Sequence, residues 1–374
     1  MKRTIIASIV AMGLVAFGSP AIAHDLGDHL PKKGQPTELQ LKNGGDIEVN
    51  KGNFISAESD KYFFEQQAKS GINHFTHDRI LLTMETQTVV RQNRDTLYSK
   101  SIWDTQGGVT FELPVLDSYQ TLQVIDENHR TVAVLYAEQG KNKVTVTPDM
   151  LTSGKHVWVI ARTQVQSNNP AHIAEGNRKQ DMIKGTANSS ERYVPKGFDQ
   201  NEREQVRIAL EANVMQLDFT KAMGAPEGKA IKPEQNVQPR KVEQFHALGM
   251  TSMGFGGLPS EHAFYKVLIA EDRSGVCQTM TFDAPPLDEQ GFFSITTYGE
   301  DAYVHREKFA LSNREGELKP NQDGSYTVNF NCGDSAVNNI DVEAGWTGIL
   351  RMYKPTSEKE IVSYAQGVEL PHTK

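Results

Sequence analysis

The sequence predicts a mainly β fold with helical additions (α+β), in which two antiparallel β-sandwich domains are joined by a helical middle segment. Two regions of short, β-branched segments with period two are separated by a polar region of helical periodicity. Short strands with turn residues between them are typical of antiparallel sandwiches. The expected divisions are a signal peptide at 1–23, a flexible lead-in at 24–54, an N-terminal sandwich at 55–172, a helical connecting segment at 173–259 and a C-terminal sandwich at 260–374.

A predicted helix precedes the N-terminal β-rich region. It begins at Ser56 and ends at Gly71, because apolar residues recur at helical spacing and glycine is favoured just after a helix. From residue 109 apolar residues alternate with polar ones, which is the pattern of half-buried strands. The predicted strands are 109–113, 121–126, 131–136, 143–147 and 156–162.

The middle of the chain is predicted to be helical, and the last third returns to strands. A short helix is expected at 173–184, and Asp199 is a candidate N-cap for a longer helix that runs to about Met223. A linker rich in Gly, Pro and Lys follows at 224–240, before another short helix at 241–248. The C-terminal strands are expected at 264–270, 276–282, 292–298, 325–330 and 346–353.

The N-terminus predicts export. Lys2 and Arg3 precede an apolar run from Ile5 to Phe17, and residues 21–23 have the small-residue pattern of a cleavage site. That run is shorter than the roughly 20 residues that span a bilayer, and the sequence holds no second one. We therefore expect cleavage after Ala23 and a soluble periplasmic protein without a membrane span.

Composition and motifs narrow the possible functions. The net charge of −8 and the absence of a basic block argue against nucleic acids and anionic lipids as partners. The sequence lacks the G-x-S-x-G elbow of serine hydrolases, the H-E-x-x-H helix of zinc proteases and the dinucleotide-binding fingerprint. No motif identifies a reaction, a cofactor or a metal.

The polar stretch at 90–99 is the main candidate site. Its two guanidinium groups could hold a carboxylate or phosphate with paired hydrogen bonds, while Asp95 and Tyr98 supply an acceptor and a phenolic donor. The competing interpretation is structural: one arginine pairs within the protein, and Asp95 caps a turn at the start of a strand. The candidate ligand-binding residues are Arg91, Asn93 and Arg94.

Two histidines are candidate acid/base groups. His77 follows His74 at a spacing that could place both on one helical turn, and His129 lies in the turn after a predicted strand. The alternative is a hydrogen-bonded or solvent-exposed role, and a zinc site at His74 and His77 would need a third ligand. A histidine near a carboxylate titrates in the useful pH range. The predicted catalytic set is therefore His77, Asp95, Tyr98 and His129.

Several stretches together resemble a known pair of bacterial domains. The segments 73–77, 90–99 (VRQNRDTLYS) and 157–163 (VWVIART) resemble the domain of unknown function 1254. The segments 255–259 (FGGLP), 292–298, 321–325 and 345–355 resemble its usual companion, the domain of unknown function 1214. The resemblance covers most of residues 55–355. It implies an N-terminal β-sandwich with helical additions and a C-terminal jelly-roll-like sandwich, and it implies no activity.

Two departures from the family pattern concern the ligand. Phe255 and Phe292 stand where relatives tend to have tryptophan, and residues 338–341 replace an Asn-Cys-Leu-Pro segment. If these residues line a pocket, the ligand of this protein differs from that of its relatives.

Two functions are compatible with these residues. In the first, the protein is a hydrolase or lyase, or a binding protein descended from one, that acts on a small polar or sugar-acid ligand between the two sandwiches. Arg91 and Arg94 would hold the anionic group. His77 or His129 would move a proton, with Asp95 orienting the histidine. In the second, the protein is a non-catalytic binding or structural protein of the cell envelope, and the polar cluster serves stability.

The two cysteines, Cys277 and Cys332, are expected to form an intramolecular disulfide between two strands of the C-terminal sandwich. In an oxidising compartment, two thiols in the same half of a chain are more often paired than free. Closing a loop of this size stabilises the folded state by about 4 kcal/mol in the chain-entropy model. Titration of denatured, unreduced protein should find no free thiol, and two thiols per chain would contradict the pairing.

Overall fold

The computed structural model describes residues 45–87, 90–314 and 316–373, and in these ranges it confirms the mainly β fold with helical additions. The predicted signal peptide and residues 24–44 of the predicted lead-in lie outside the described residues. Five α-helices and eighteen strands are present in the described ranges. Most strand pairs are antiparallel, and two short pairs are parallel.

The N-terminal β unit consists of two packed sheets. Its strands are β1 Thr76–His77, β2 Thr96–Asp104, β3 Val109–Glu112, β4 Gln120–Ile125, β5 Thr131–Tyr136, β6 Lys143–Val146, β7 His156–Gln164 and β8 Lys184–Ala187. A five-stranded sheet has the order β1-β2-β7-β4-β5, and a three-stranded sheet has the order β6-β3-β8. Apolar residues of both sheets, among them Phe111 and Val159, form one buried core, so this unit is a sandwich.

Strand β8 extends the N-terminal unit beyond its predicted end at residue 172. It pairs with β3 along its whole length, although its sequence of Lys, Gly, Thr and Ala has little strand propensity. Gly185 is required there, because a Cβ would lie 2.3 Å from the Trp103 ring. Packing around Trp103 therefore determines that these residues form a strand. The local sequence gives no indication of that packing.

Two helices accompany this unit, α1 at Phe54–Ser70 and α2 at Pro170–Asp181. Gly71 ends α1 as predicted, its backbone N–H donating to the carbonyl of Gln67. Phe63 of α1 packs with Ile102 and Trp158 on the five-stranded sheet. The helix therefore covers the face of that sheet opposite the sandwich core.

The connecting segment contains the short paired strands β9 (Ala225–Pro226) and β10 (Pro239–Arg240) and two helices, α3 (Gln200–Glu211) and α4 (Gln244–Met253). Asp199 caps α3 as predicted by accepting hydrogen bonds from two backbone N–H groups of its first turn.

The prediction that α3 continues to about Met223 is wrong, because the helix ends at Glu211. Beyond it, Leu217 packs so closely on Gly249 of α4 that a Cβ at Gly249 would lie 2.4 Å from the leucine Cδ2. The segment after Glu211 therefore does not continue as one helix but turns so that Leu217 packs on α4, and tertiary contacts override local propensity.

The C-terminal β unit also has two sheets. Its strands are β11 Ala263–Leu268, β12 Gln278–Phe282, β13 Leu287–Tyr298, β14 Ala310–Ser312, β15 Tyr326–Phe330, β16 Asn339–Ile340, β17 Thr347–Pro355 and β18 His372–Thr373. The sheets have the orders β11-β17-β13-β14 and β16-β15-β12-β18. Their shared core includes the stacked rings of Phe330 and Trp346, and helix α5 (Glu358–Gly367) packs Ile361 into it.

Cys277 and Cys332 lie at the ends of the neighbouring strands β12 and β15. Their sulfur atoms are 2.01 Å apart, which is the bonding distance of a disulfide. The bridge links two strands of one sheet of the C-terminal sandwich, as the sequence predicted.

Strands β7 and β17 are buried on both faces, and alternate side chains along each strand belong to different layers. Residues that enter the two sandwich cores are Val157, Val159 and Ala161 on β7 and Leu350 and Met352 on β17. The residues between them lie on the opposite faces of the two sheets: Trp158, Ile160 and Arg162 on β7, and Ile349, Arg351 and Tyr353 on β17. These faces turn toward each other, and part of the space between them is filled by a further core that includes Tyr119, Tyr136 and Phe292.

A buried ion pair joins α1 to α3. Arg203 donates to the Glu58 carboxylate, and the two residues are 5% and 2% exposed. Removing one member of a buried pair leaves the other charge without compensation, so Glu58→Gln should lower the free energy of unfolding by about 3 kcal/mol. Glu175→Gln, which breaks the exposed pair with Arg178, is the matched control and should cost less than about 1 kcal/mol. Denaturant melts measure both, and equal losses would contradict the assignment.

Candidate functional site

A cavity of about 150 Å³ lies between the two β units. Its walls come from α1, residues 90–93, strands β2, β7, β11 and β17, helix α4, and the glycine loop formed by residues 254–257. The exposed lining residues Glu65 and Lys69 are on α1, which places the opening beside this helix. Buried lining residues come from the facing strands β7 and β17 and also from α1, α4, the segment 90–93 and the glycine loop.

Arg162 and Arg351 are buried charged residues of the cavity wall, one from each β unit. They are 4% and 3% exposed, which is unusual for arginine. Arg162 donates to the side-chain oxygen of Gln123 at 3.2 Å and to the carbonyl of Gly256. These partners are neutral, so the positive charge of Arg162 keeps its attraction for an anion.

Arg351 is held in a similar way but has an unused donor. Its Nη2 donates to the carbonyl of Arg91 and to the hydroxyl of Tyr298, both at 2.7 Å. In the described part of the chain, Nη1 has no hydrogen-bond partner. A buried donor without an acceptor costs about 1–3 kcal/mol, and a bound acceptor would remove that cost.

Both guanidinium groups are close to the same phenols. Burial works against the charge on Arg162, but the neighbouring phenols, Tyr98 and Tyr353 among them, outweigh it and raise the pKa of Arg162. Burial likewise opposes the charge on Arg351, but Tyr298, Tyr353, the Asp95 carboxyl and Tyr98 raise its pKa. Both positive charges therefore persist at neutral pH, and Tyr98 and Tyr353 interact with both of them.

Two of the lining phenols are oriented as donors. The hydroxyl of Tyr265 accepts from the backbone N–H of Leu258 at 3.1 Å, and that of Tyr353 accepts from the side-chain amide of Asn93 at 2.7 Å. Burial raises the pKa of both phenols, so both keep their protons at neutral pH. Each can donate that proton to a ligand atom in the cavity.

Two stacked rings, those of Tyr62 and Phe255, form part of the wall, and the His129 ring stacks behind Phe255. The Phe255 ring lies between Tyr62, with ring centroids 4.4 Å apart, and His129, with centroids 4.2 Å apart. Trp158 meets Phe255 edge-on at 5.1 Å. Apolar lining residues that accompany these rings are Ile160, Met250, Met253 and Ile349.

The glycine loop has little room for side chains. Gly256 has a φ of 82°, and a Cβ there would lie 2.9 Å from the Trp158 ring. A Cβ at Gly257 would lie 2.5 Å from the Met250 methyl group. The paired glycines thus let the backbone approach the cavity wall closely.

Three of the sequence-predicted residues line the cavity: Arg91, Asn93 and Tyr98. The Arg91 guanidinium pairs with Glu211 of α3 at 2.6 Å, and its backbone carbonyl accepts from Arg351. Asn93 uses its amide to position Tyr353, and burial raises the pKa of the Tyr98 phenol. In this arrangement Arg91 and Asn93 hold Arg351 and Tyr353, which line the cavity.

Arg94 and Asp95 are not among the lining residues of the described chain. The Arg94 guanidinium donates to Glu317 at 3.0 Å and to the carbonyl of Ala310 at 2.9 Å. The buried Asp95 carboxylate accepts from the Ser294 hydroxyl. Both residues therefore connect the polar stretch to the C-terminal unit.

The two predicted histidines lie outside the lining. His77 is on the edge strand β1, and its Nδ1 is 2.8 Å from the Ser99 hydroxyl. His129 accepts at Nε2 from the backbone N–H of Gly256 at 3.0 Å, so its Nδ1 carries the proton that bonds Thr251 at 2.8 Å. Burial lowers the pKa of His129 to about 3, so it stays neutral while it supports the glycine loop.

Within residues 45–87, 90–314 and 316–373, no group of three or more His, Cys, Asp and Glu side chains is arranged to hold a metal ion. The same ranges contain no helix that is both long and apolar enough to cross a membrane.

Sequence reasoning missed the two cavity arginines, although both stood inside quoted strands. Arg162 ends the run VWVIAR, and Arg351 interrupts the run GILRMY. A charged residue inside an otherwise apolar strand indicates a candidate functional residue, because arginine is seldom fully buried. Which face each arginine takes, and that the two meet, depends on the packing of two distant strands.

The fold and the cavity define a class of protein: two β-sandwich units with a cation-lined cavity between them. Two family models match the chain, "Protein of unknown function (DUF1254)" at residues 72–185 and DUF1214 at residues 272–357. The chain therefore belongs to the proteins that carry these paired domains, as the motif resemblance predicted.

A solved structure has a similar fold, and a second one matches less well. The VPA0106 protein from Vibrio parahaemolyticus has a TM-score of 0.57 at 16% identity, covering 86% of this chain and 97% of that one. A putative uncharacterized protein from Burkholderia cenocepacia has a TM-score of 0.45 at 11% identity, covering 86% and 87%. No curated protein matches the chain.

The Asp95 carboxyl provides a test based on pH. Burial raises its pKa above the ordinary 3.8, more than the Ser294 hydrogen bond and the arginine charges lower it. The folded state therefore binds this proton more tightly than the unfolded state, and the stability it contributes at low pH is lost as the carboxyl ionises. Relative to wild type, Asp95→Asn should become more stable as the pH rises from about 4 to about 7.

Denaturant melts at several pH values measure this difference. Asp323→Asn is the control with the opposite sign, because hydrogen bonds from Ser325 lower the pKa of Asp323. If Asp95→Asn instead loses stability relative to wild type as the pH rises, the ionised carboxylate is a net stabilising partner of the arginines, and the assignment is wrong.

Proposed function

We propose that this protein binds a small organic anion in the cavity between its two β units. The observation that carries the proposal is the pair of buried arginines, Arg162 and Arg351, whose hydrogen bonds in the described chain go to neutral oxygens. Taking two cations out of water costs several kcal/mol each unless an anion or other strong partner compensates. A bound anion would supply that compensation.

The electrostatics of the cavity differ from those of the whole chain. The chain has a formal net charge of −8, whereas the charged lining residues comprise five basic side chains and one acidic one, Glu65. A cleft that is lined by charges of one sign and has apolar walls concentrates the electric field, and it favours a ligand of the opposite charge. An anionic ligand therefore fits this cavity better than a neutral or cationic one.

Binding is better supported than hydrolase or lyase chemistry. The lining phenols and guanidinium groups keep their protons at neutral pH, so they act as fixed hydrogen-bond donors. His77 and His129, the residues predicted to move a proton, are outside the lining, and His129 has a pKa of about 3. Such a site can hold and orient an anion without exchanging protons with it.

We further propose that binding takes place in the periplasm, the compartment that the predicted signal peptide implies. The two cysteines at bonding distance agree with an oxidising compartment.

The test is a thermal-shift and calorimetric screen of the purified protein against acetate, benzoate, glucuronate and inorganic phosphate. At a concentration of 100 times its Kd, a ligand adds about 2.7 kcal/mol of stability, which is a clear rise in Tm. Arg351→Lys should weaken binding by about tenfold to a hundredfold, because a guanidinium in a charge-assisted hydrogen bond contributes about 1.5–3 kcal/mol.

The matched control is Arg130→Lys. Arg130 is also partly buried, and its side chain bonds the carbonyls of Gly224, Ala225 and Arg240, outside the cavity. It should bind the anion as wild type does. Arg162→Lys provides a second cavity variant if Arg351→Lys does not fold. The proposal fails if none of the anions binds, or if the cavity variants bind as tightly as the control.

A further inference from the structure

We propose that the ligand of this cavity is an aromatic monocarboxylate of about the size of benzoate. The inference rests on the proposed function and names the class of anion. The carboxylate would sit between Arg162 and Arg351, and the ring would occupy the apolar part of the cavity.

The donors indicate a single carboxylate. Arg351 comes from β17 and Arg162 from β7, and both are close to Tyr98 and Tyr353. A guanidinium fork matches the planar geometry of a carboxylate, and the phenols of Tyr265 and Tyr353 can donate to its remaining lone pairs. The other cations of the lining are exposed or already paired: Lys69 is exposed, Arg91 pairs with Glu211 and Lys100 pairs with Asp78. A second anionic group would therefore lack a buried guanidinium of its own.

The remaining walls indicate an aromatic ring. Seven of the lining residues are aromatic, among them Trp158 and Phe255, which meet edge to face. Ile160 and Ile349 supply apolar surface from the two facing strands. Rings prefer edge-to-face and offset contacts with other rings, which adds to the gain from burying apolar area.

The apolar part of the cavity favours a ring over the sugar acids considered from the sequence. A cavity of about 150 Å³ is large enough for a single six-membered ring, since a dry cavity of roughly that volume binds benzene in another protein. A sugar acid of similar size carries several hydroxyl groups. The side chains of Ile160, Ile349 and Met250 offer those hydroxyls no strong partner, and each buried hydroxyl without one would weaken binding.

The fluorescence of Trp158 provides a direct measurement of ligand binding in the cavity. Trp158 lines the cavity, whereas Trp103 and Trp346 lie in the two separate sandwich cores. Benzoate should therefore change the tryptophan fluorescence of the purified protein. The change should be lost in Trp158→Phe, which keeps an aromatic ring in the wall, and should remain in Trp346→Phe.

The ligand panel contains benzoate, cyclohexanecarboxylate, benzamide, phthalate and acetate, with Kd measured by calorimetry. Benzoate should bind about 2- to 10-fold more tightly than cyclohexanecarboxylate, which lacks the ring face. It should bind more than about tenfold more tightly than benzamide, which lacks the charge, and than phthalate, whose second carboxylate would be desolvated without a buried guanidinium of its own. Acetate, without the ring, should be weaker still.

The outcomes separate this inference from the proposed function. If acetate or cyclohexanecarboxylate binds as tightly as benzoate and depends on Arg351, the cavity binds organic anions but the aromatic class is wrong. If glucuronate binds more tightly than benzoate, the aromatic class is likewise wrong. If no member of either panel binds, both proposals are overturned. Unchanged fluorescence with calorimetric binding of benzoate would place the ligand elsewhere and overturn the inference.

Discussion

The structure depends on two strands, β7 and β17, that are buried on both faces. Each supplies one face to its own sandwich core and the other to the contact between the two β units. Side chains alternate between the two faces of a strand. A register slip of one residue would therefore exchange the side chains of the sandwich core with those that face the other β unit. It would move Arg162 or Arg351 into an apolar core. The cavity and both cores are therefore specified by the same register.

The polar stretch around residues 91–95 serves as the connection between the units. The carbonyl of Arg91 accepts from Arg351, and the carbonyl of Gln92 accepts from Tyr298 at 2.9 Å. The next three side chains bond Tyr353, Glu317 and Ser294 of the C-terminal unit. Such a density of contacts fixes the relative position of the two sheets. The stretch thus both connects the two units and lines the cavity, so it combines features of the two interpretations drawn from the sequence.

Stability and function oppose each other at Arg162 and Arg351. Their burial is costly, and apolar residues of similar volume in such positions often stabilise a protein. The phenols and carbonyl groups around them lower the cost, and the buried Asp95 carboxyl lowers it further at Arg351 when it is ionised. The hydrogen bonds described for the two guanidinium groups nevertheless all go to neutral oxygens. Local arrangements that reduce stability are expected at functional sites, because a bound ligand supplies the interactions that the protein alone lacks.

The sequence by itself determined the fold class, most strands, the cap at Asp199 and the pairing of Cys277 with Cys332, because period, capping chemistry and cysteine count are local or additive signals. It also singled out Arg91, Asn93 and Tyr98, which line the cavity. Only the tertiary structure decided where α3 ends, that residues 184–187 form a strand, and that the arginines of β7 and β17 meet. Each of these depends on which side chains from distant segments pack together. The residue pattern of one strand does not specify which face of a distant strand will lie against it.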